Sequence, residues 1–306
     1  MIPLFDAHCD TASKITARGL SLRENDLSVD LESCRAFSPH ARVFAIFNDL
    51  SRVADIEAAA VKQMDYLLKE ISENCEIVAL CTDGRQARAA FSQGKIAAFL
   101  SVEGAEQLGC SAAGLKWAYG VGVRAVNITW NHANALSGSH CDAPERGLSD
   151  AGRDFVRACN ELGVIIDVSH ISGAGFWDVL EASSKPIIAS HSNSRAVWEH
   201  TRNLTDAQFE AIARSGGAVG INLYERFLGE GATVDTVVGH IEHFLALGGE
   251  KSVGIGSDFD GCSRLPAGIR RVSDLSALYE ALLRRNYPQS LVNDIFFNNM
   301  MRAFEF

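Results

Sequence analysis

The chain has 306 residues, of which 47% are hydrophobic and 22% charged, and its formal net charge is −10. An acidic chain without clusters of Lys and Arg argues against a nucleic acid or an anionic membrane as a partner, because phosphate contacts require such clusters. No apolar run approaches the ~20 residues of a membrane span, and the first ten residues do not have the pattern of a secretory signal. We therefore expect a cytoplasmic protein with reduced cysteines.

Short apolar runs alternate along the chain with longer amphipathic stretches. The apolarity of these runs is continuous rather than alternating, which is typical of strands buried on both faces. Eight runs are predicted to be strands: 3–8, 42–48, 95–102, 123–129, 163–169, 186–190, 217–223 and 251–257.

Helical patterns separate the predicted strands. In residues 53–73, apolar side chains recur at the spacing of one helix face. The other predicted helices cover residues 84–93, 111–119, 149–162, 174–184, 205–215, 233–247 and 274–285. The last segment, 288–305, is predicted to be an extra helix that packs on the outside.

The eight β/α units predict one domain over residues 1–306, folded as a (β/α)8 TIM barrel. An open, doubly wound sheet is the alternative. A ninth apolar run, "CEIVALC" at 75–81, is interpreted as an insertion before the third barrel strand. In such barrels the catalytic groups lie at the C-terminal ends of the strands, so the residues that end each run are the ones to inspect.

Five of the eight predicted strands end in side chains that can bind a metal or carry a proton. These residues are His8 and Asp10 after the first strand, Glu103 after the third, His170 after the fifth, His191 after the sixth and Asp258 after the eighth. Each one alone is most simply a capping or hydrogen-bonded structural residue. Six of them on one rim indicate a site, and imidazole and carboxylate ligands together suit Zn²⁺ or a similar divalent ion.

The order of these residues around a barrel suggests how they can share two ions. The two ligands of the first strand can bind one metal, and His170 with His191 can bind a second. Glu103 lies between the two groups and can bridge the ions. Two ions about 3.5–4 Å apart acidify a water held between them. Asp258, on the opposite side, is then free to act as a general acid or base.

Several motifs together resemble the membrane (renal) dipeptidase family, the M19 metallopeptidases, over essentially the whole chain. The matching stretches are "DAHCDT", "SVEG", "GLSDAGRDFVRACNELGVIIDVSH", "IIASHSNSRAVWEHTRNLTD", "VGIGSDFDG" and the tail "YEALLRRNYPQSLVNDIFFNNMMRAF". The resemblance implies a metal-dependent hydrolase barrel, often a homodimer, with two zinc ions per chain. It also implies hydrolysis of free dipeptides by a metal-bridging hydroxide, with a D-residue tolerated at the C-terminal position.

The resemblance implies a role for each matching residue. His8 and Asp10 would hold one zinc, His170 and His191 the other, Glu103 would bridge them and take part in catalysis, and Asp258 would transfer protons. Arg202, in "EHTRNL", matches the arginine that binds the terminal carboxylate of the dipeptide. Its planar fork suits a carboxylate better than Lys would. The simpler interpretation of Arg202 is a surface charge.

The chain departs from the family pattern after the fourth strand. The better-known members have a histidine there that helps to bind the scissile carbonyl, whereas this chain has Trp130 in "NITWNHANALSGS". His132, two residues later, is one candidate for the same task. The metal ions with a backbone donor or Asn131 are the alternative.

The remaining histidines are predicted to be structural. His240 and His243 are expected on a helix face that points to solvent, and His40, His140 and His200 in loops.

Two rival functions differ from a dipeptidase in the ligands they require. Another amidohydrolase-like metal hydrolase, such as a lactonase or amidase, usually has His-x-His on its first strand and often a carbamylated lysine as the bridge. Here the first pair is His-x-Asp and the bridging candidate is Glu103. If the chain were a non-catalytic protein on a degenerate barrel, we would expect at least one metal ligand to be missing. None of the five candidate ligands is missing.

Overall fold

Parallel strands curl into a barrel in the computed structural model, which describes residues 1–305. The strands are β1 (Ile2–Cys9), β2 (Phe37–Ile46), β3 (Val78–Leu80), β4 (Ile96–Val102), β5 (Val123–Asn127), β6 (Ile165–Asp167), β7 (Val219–Ile221) and β8 (Val253–Ile255). Their spatial order is β6-β5-β4-β2-β1-β8-β7, with β3 paired to β4. Every named pairing is parallel, as the crossover helices require.

The sixth predicted run, 186–190, completes the barrel without forming a regular strand. Ile188 forms a bridge with Asp167 of β6, and Ala189 forms one with Val219 of β7. The eight predicted runs therefore occupy the eight positions of the barrel, which confirms the fold prediction over the open sheet. The short β3, from the ninth run, lies beside the start of β4.

All eight predicted helices are present, and their ends lie within a few residues of the predicted ones. The helices are α1 (Thr11–Arg18), α2 (Leu31–Cys34), α3 (Ile56–Glu73), α4 (Gly84–Ser92), α5 (Ala112–Val121), α6 (Asp150–Leu162), α7 (Gly173–Ala182), α8 (Asp206–Arg214), α9 (Glu225–Leu228), α10 (Val234–Ala246), α11 (Leu275–Arg284), α12 (Gln289–Asn293) and α13 (Asn299–Ala303). Side-chain caps such as Asp55, Asp83 and Ser149 fix several starts. Among residues 1–305, no helix has both the length and the apolarity that a membrane crossing requires.

The C-terminal segment closes the base of the barrel, so its predicted place on the outside is wrong. A π-helical turn joins α12 to α13, and this turn and α13 pack against β1 and β8. The ring of Phe304 lies 5.1 Å from the rings of Phe5 and Phe99 in the barrel interior. Met300 belongs to the same buried cluster. Small interior residues such as Ala97 leave room at the base, and these large side chains fill it.

Truncating Phe304 to Ala should destabilise the protein by about 3–5 kcal/mol, because its fully buried ring leaves a cavity that the barrel strands cannot collapse into. Urea unfolding measures the loss. Leu50→Ala, at a position 39% exposed, is the control and should change stability by less than about 0.5 kcal/mol. Equal stability of the two variants would show that the base of the barrel is not sealed by this segment.

Two of the predictions for histidines are wrong. His40 lies in β2 rather than in a loop, is 2% exposed, and has Nδ1 2.8 Å from the carbonyl oxygen of Cys34. His240 is fully buried on α10, where Nδ1 accepts from the Ser194 amide and Nε2 lies 3.1 Å from the Leu228 carbonyl oxygen. The inner face of α10 includes position 240, which periodicity alone did not reveal.

Buried His40 should make stability depend on pH. Burial, with neighbouring Arg42, lowers the pKa of His40 to about 3, whereas an unfolded chain has a His pKa of about 6.5. The unfolded state therefore binds a proton that the folded state refuses, and stability falls as pH decreases from about 6.5 towards 3. In chelator-treated protein, His40→Gln should reduce the loss of unfolding free energy between pH 7 and 4 by roughly 3 kcal/mol. Identical pH profiles in urea titrations would contradict this expectation.

Candidate metal centre

The six side chains predicted at the strand ends converge on one rim of the barrel, and each is at most 9% exposed. The two oxygens of Glu103 face different groups. Its Oε1 lies 2.9 Å from His170 Nε2 and 3.4 Å from His191 Nε2. Its Oε2 lies 3.5 Å from His8 Nε2, which in turn is 3.6 Å from Asp10 Oδ2. A carboxylate placed in this way between two ligand groups can contact a cation in each.

The polar atoms of this rim fit a divalent cation. Both ring nitrogens of His8 and Oδ1 of Asp10 are buried and have no hydrogen-bond partner within residues 1–305. Buried polar atoms normally have partners, and a cation would supply one. Two groups of three residues each have their ligand atoms within 4.8 Å of one another. One group is His8, Glu103 and His191, and the other is His8, Asp10 and Asp258. Nitrogen and carboxylate donors of this kind suit Zn²⁺.

Neighbouring side chains orient the two histidines that face Glu103. Ser190 Oγ lies 2.6 Å from His191 Nδ1, and Asn131 Oδ1 lies 2.9 Å from His170 Nδ1. In both rings the contact is to Nδ1, so Nε2 points at the centre of the site. Sequence reasoning missed the part of Asn131 in holding His170, because the two residues are distant in the chain.

Burial and mutual charge shift the pKa values of the rim before any cation binds. Burial, followed by the charges of His8 and Arg202, holds the pKa values of His170 and His191 well below normal. Burial also raises the pKa of Glu103, and burial with the nearby Asp10 charge raises the pKa of Asp258 to about 7. His170 and His191 therefore stay neutral, which is the form that binds metals.

The pKa of His8 is shifted in the opposite direction, upwards. Burial disfavours its charged form, but the nearby negative charges of Glu103 and Asp10 outweigh burial and hold its pKa well above normal. The His8 and His191 rings stack with their centroids 3.8 Å apart, so protonation of one opposes protonation of the other.

The backbone is strained where it presents two of these groups. His170 has φ = 73° and Asp258 has φ = 57°, both in the left-handed region. Such conformations cost of the order of 1–3 kcal/mol and concentrate at functional sites. Gly261 is also required, since a Cβ there would lie 2.1 Å from Asp10 Oδ2 and 2.3 Å from Asp258 Oδ1.

A buried ion pair beneath the rim joins β1 to its neighbours, and sequence reasoning missed it. Asp6 accepts hydrogen bonds from Arg42 Nη1 at 2.8 Å and from the Ser257 amide at 2.8 Å. Both charged side chains are fully buried. These contacts hold the end of β1, with the first ligand pair, beside the loop that carries Asp258.

Arg202 is buried, so the interpretation as a surface charge is wrong. Its Nη1 donates to Ser192 Oγ at 2.6 Å and its Nη2 to the His191 carbonyl at 2.9 Å, while Nε has no partner within the described residues. Burial lowers the pKa of Arg202 to about 10, which leaves the guanidinium charged. Arg202 lines a cavity of about 340 Å³ that also borders His170.

A second cavity, of about 150 Å³, lies over the candidate metal ligands and borders Glu103, Asp258, Trp130 and Asn131. The Trp130 ring packs 4.7 Å from the Phe47 ring on its wall.

His132 points away from the other predicted groups. Its ring packs 5.5 Å from that of Trp130, its Nε2 lies 3.6 Å from Asp49 Oδ1, and its side chain is 40% exposed. The structure therefore brings together every predicted site residue of the rim except His132.

The chain matches the model of the membrane dipeptidase family, peptidase family M19, over residues 1–306. A metallopeptidase from Rhodobacter sphaeroides, liganded with a phosphinate mimic of L-Ala-D-Ala, superposes with a TM-score of 0.91 at 27% identity and covers 100% of this chain and 99% of its own. The dipeptidase AC, an M19 metallopeptidase, gives 0.91 at 28% identity and covers 99% and 98%. The probable dipeptidase PvdM from Pseudomonas aeruginosa gives 0.88 at 21% identity, covering 99% and 94%, and shows the shared fold. The chain belongs to the membrane dipeptidase family, peptidase family M19, and is a metal-dependent dipeptidase.

Proposed function

We propose that this enzyme uses two zinc ions to hydrolyse free dipeptides and that it accepts a D-residue at the C-terminal position. The observation that carries the proposal is the position of Glu103, whose two oxygens face separate groups of ligands. His8 and Asp10 would hold one ion, and His170 and His191 the other. Bound ions would supply a water acidic enough to ionise near neutral pH.

Asp258 would carry protons between the attacking water and the departing amine. Its carboxylate accepts a hydrogen bond from Asn222 Nδ2 at 2.9 Å, which fixes its orientation. Before a cation binds, burial and the nearby Asp10 charge raise its pKa to about 7. Asp258 borders the same cavity as Glu103, so a substrate there reaches both groups.

Arg202 would bind the terminal carboxylate of the dipeptide. It is a buried cation beside His191, and it lines the cavity of about 340 Å³, where a bound carboxylate could meet its charge. His170 borders both the cavity that Arg202 lines and the smaller one beside Glu103 and Asp258, so a dipeptide held by Arg202 would extend from the first cavity into the second. The R. sphaeroides neighbour was crystallised with a mimic of L-Ala-D-Ala, which supports a substrate of L-D type for this chain.

A panel of dipeptides tests the proposal on zinc-loaded protein. Free L-L and L-D dipeptides should be cleaved, and N-blocked members should not. The panel should include simple lactones and amides. Hydrolysis of those compounds with no cleavage of any free dipeptide would favour another amidohydrolase-like hydrolase and overturn the proposal. We further propose a homodimer, which sedimentation at equilibrium measures directly.

A further inference from the structure

We infer that Asn131 replaces the missing histidine at the Trp130 position and has two tasks. Its Oδ1 fixes the tautomer of the metal-binding His170, and its Nδ2 donates a hydrogen bond to the scissile carbonyl oxygen. The inference rests on the proposed function. It identifies the group that polarises the scissile carbonyl in a chain that has Trp130 where better-known family members have a histidine.

The first task follows from two contacts of one oxygen. Asn131 Oδ1 lies 2.9 Å from His170 Nδ1 and 2.9 Å from His140 Nε2. An amide oxygen only accepts hydrogen bonds, so both ring nitrogens carry a proton. A neutral His170 then has its lone pair on Nε2, the atom that faces Glu103 and His191. Without this acceptor, the proton of His170 is free to move to Nε2 and block metal binding.

The opposite orientation of the amide is incompatible with a metal-binding His170. If Nδ2 faced the two rings, His170 Nδ1 would have to accept and its proton would occupy Nε2. His140 agrees with the assigned orientation, because its Nδ1 lies 2.9 Å from Thr201 Oγ1 and can accept the hydroxyl proton. Ser139 Oγ also donates to the Asn131 carbonyl at 2.7 Å, which fixes the backbone.

The second task concerns Nδ2 of Asn131, the amide nitrogen that the first task does not use. Asn131 Nδ2 makes no hydrogen bond with any residue in the described part of the chain, and Asn131 borders the cavity that also contains Glu103, His170 and Asp258. A fixed N–H donor at developing negative charge contributes roughly 10²–10³-fold in kcat. His132 cannot easily substitute, since its imidazole faces Asp49.

Two substitutions at Asn131 separate the tasks. Asn131→Asp keeps an oxygen acceptor for both histidines but loses the N–H donor, and Asn131→Ala loses both. We expect the Ala variant to lose roughly 10–100-fold in zinc affinity, measured by competition with a chromophoric chelator. Both variants should lose roughly 10²–10³-fold in kcat on a cleavable dipeptide, with the Asp variant keeping two zinc ions at wild-type affinity or better.

Cys141→Ala is the matched control. Its thiol contacts the Asn131 carbonyl at 3.2 Å, so this variant disturbs the same loop and leaves the amide side chain in place. Zinc affinity and kcat should stay within about twofold of wild type, since a neutral loop contact is worth little. A Cys141→Ala variant that lost as much as Asn131→Ala would overturn the inference, because loop damage would then explain both.

Wild-type zinc affinity in Asn131→Ala would overturn the tautomer role, and wild-type kcat in Asn131→Asp would overturn the donor role. Failure of the proposed function is separate: wild-type protein would then cleave no dipeptide, while the chelator competition would still report on the tautomer of His170.

Discussion

Replacing Asp258 by Asn should nearly abolish dipeptide turnover while the bound metal stays in place. The amide cannot take a proton from the attacking water or pass one to the amine, so kcat should fall by about 10²–10⁴-fold. The five proposed ligands remain intact, and Asn222 can still donate to the side chain at position 258. The measurement is kcat on the best dipeptide of the panel, with zinc per chain from elemental analysis of the same sample.

Asp26→Asn is a matched control for this variant. It makes the same chemical change at an exposed carboxylate that pairs with Arg18 at 2.8 Å, where solvent leaves an ion pair little effect on stability. Its turnover should equal that of wild type. Normal turnover by Asp258→Asn would refute the proton-transfer role, and loss of zinc together with activity would make Asp258 a ligand instead.

Glu103→Gln should remove at least one of the two proposed zinc ions and all measurable turnover. The substitution removes a charge that faces both ligand groups, and an amide binds zinc far more weakly than a carboxylate. In the metal-free protein the substitution removes a carboxylate that burial disfavours, but it also removes the charge that favours protonated His8, so its net effect on stability should be small. Zinc per chain and thermal unfolding with and without zinc measure both effects.

The neighbouring Glu106 provides the comparison for Glu103. It is also buried, at 7% exposed, but its carboxylate accepts from Asn134 at 2.8 Å. Glu106→Gln should retain two zinc ions and turnover near wild type. If Glu103→Gln retained both zinc ions and activity as well, the proposed bridging role would have to be abandoned.

The barrel could be predicted because its strands are buried on both faces and therefore have continuous apolar runs. The run at 186–190 makes only isolated bridges, so the sequence located it correctly but overstated its regularity. The place of the C-terminal helix could not be predicted. Periodicity shows that a helix has an apolar face, but it does not show which surface covers that face.

The proposed ligands could be identified because the fold itself places strand ends on one rim. The residues that orient these ligands could not be identified, since their roles depend on contacts between distant parts of the chain. His140 and Thr201 are 61 residues apart, and Asp6 and Ser257 are 251 apart. No local pattern records such contacts, so His140 resembled an ordinary loop residue and Asp6 an ordinary strand residue.

The closure of the barrel base by Phe304 has a consequence for the order of folding. Phe304 packs on Phe5 of the first strand, so the interior is sealed only when nearly the whole chain has been assembled. Contacts between such distant segments give a high contact order, and high contact order slows folding. His8 lies on the same strand as Phe5, Asp10 follows directly after that strand, and both reach their final positions late. We therefore expect the finished barrel to acquire zinc, rather than zinc to nucleate the barrel.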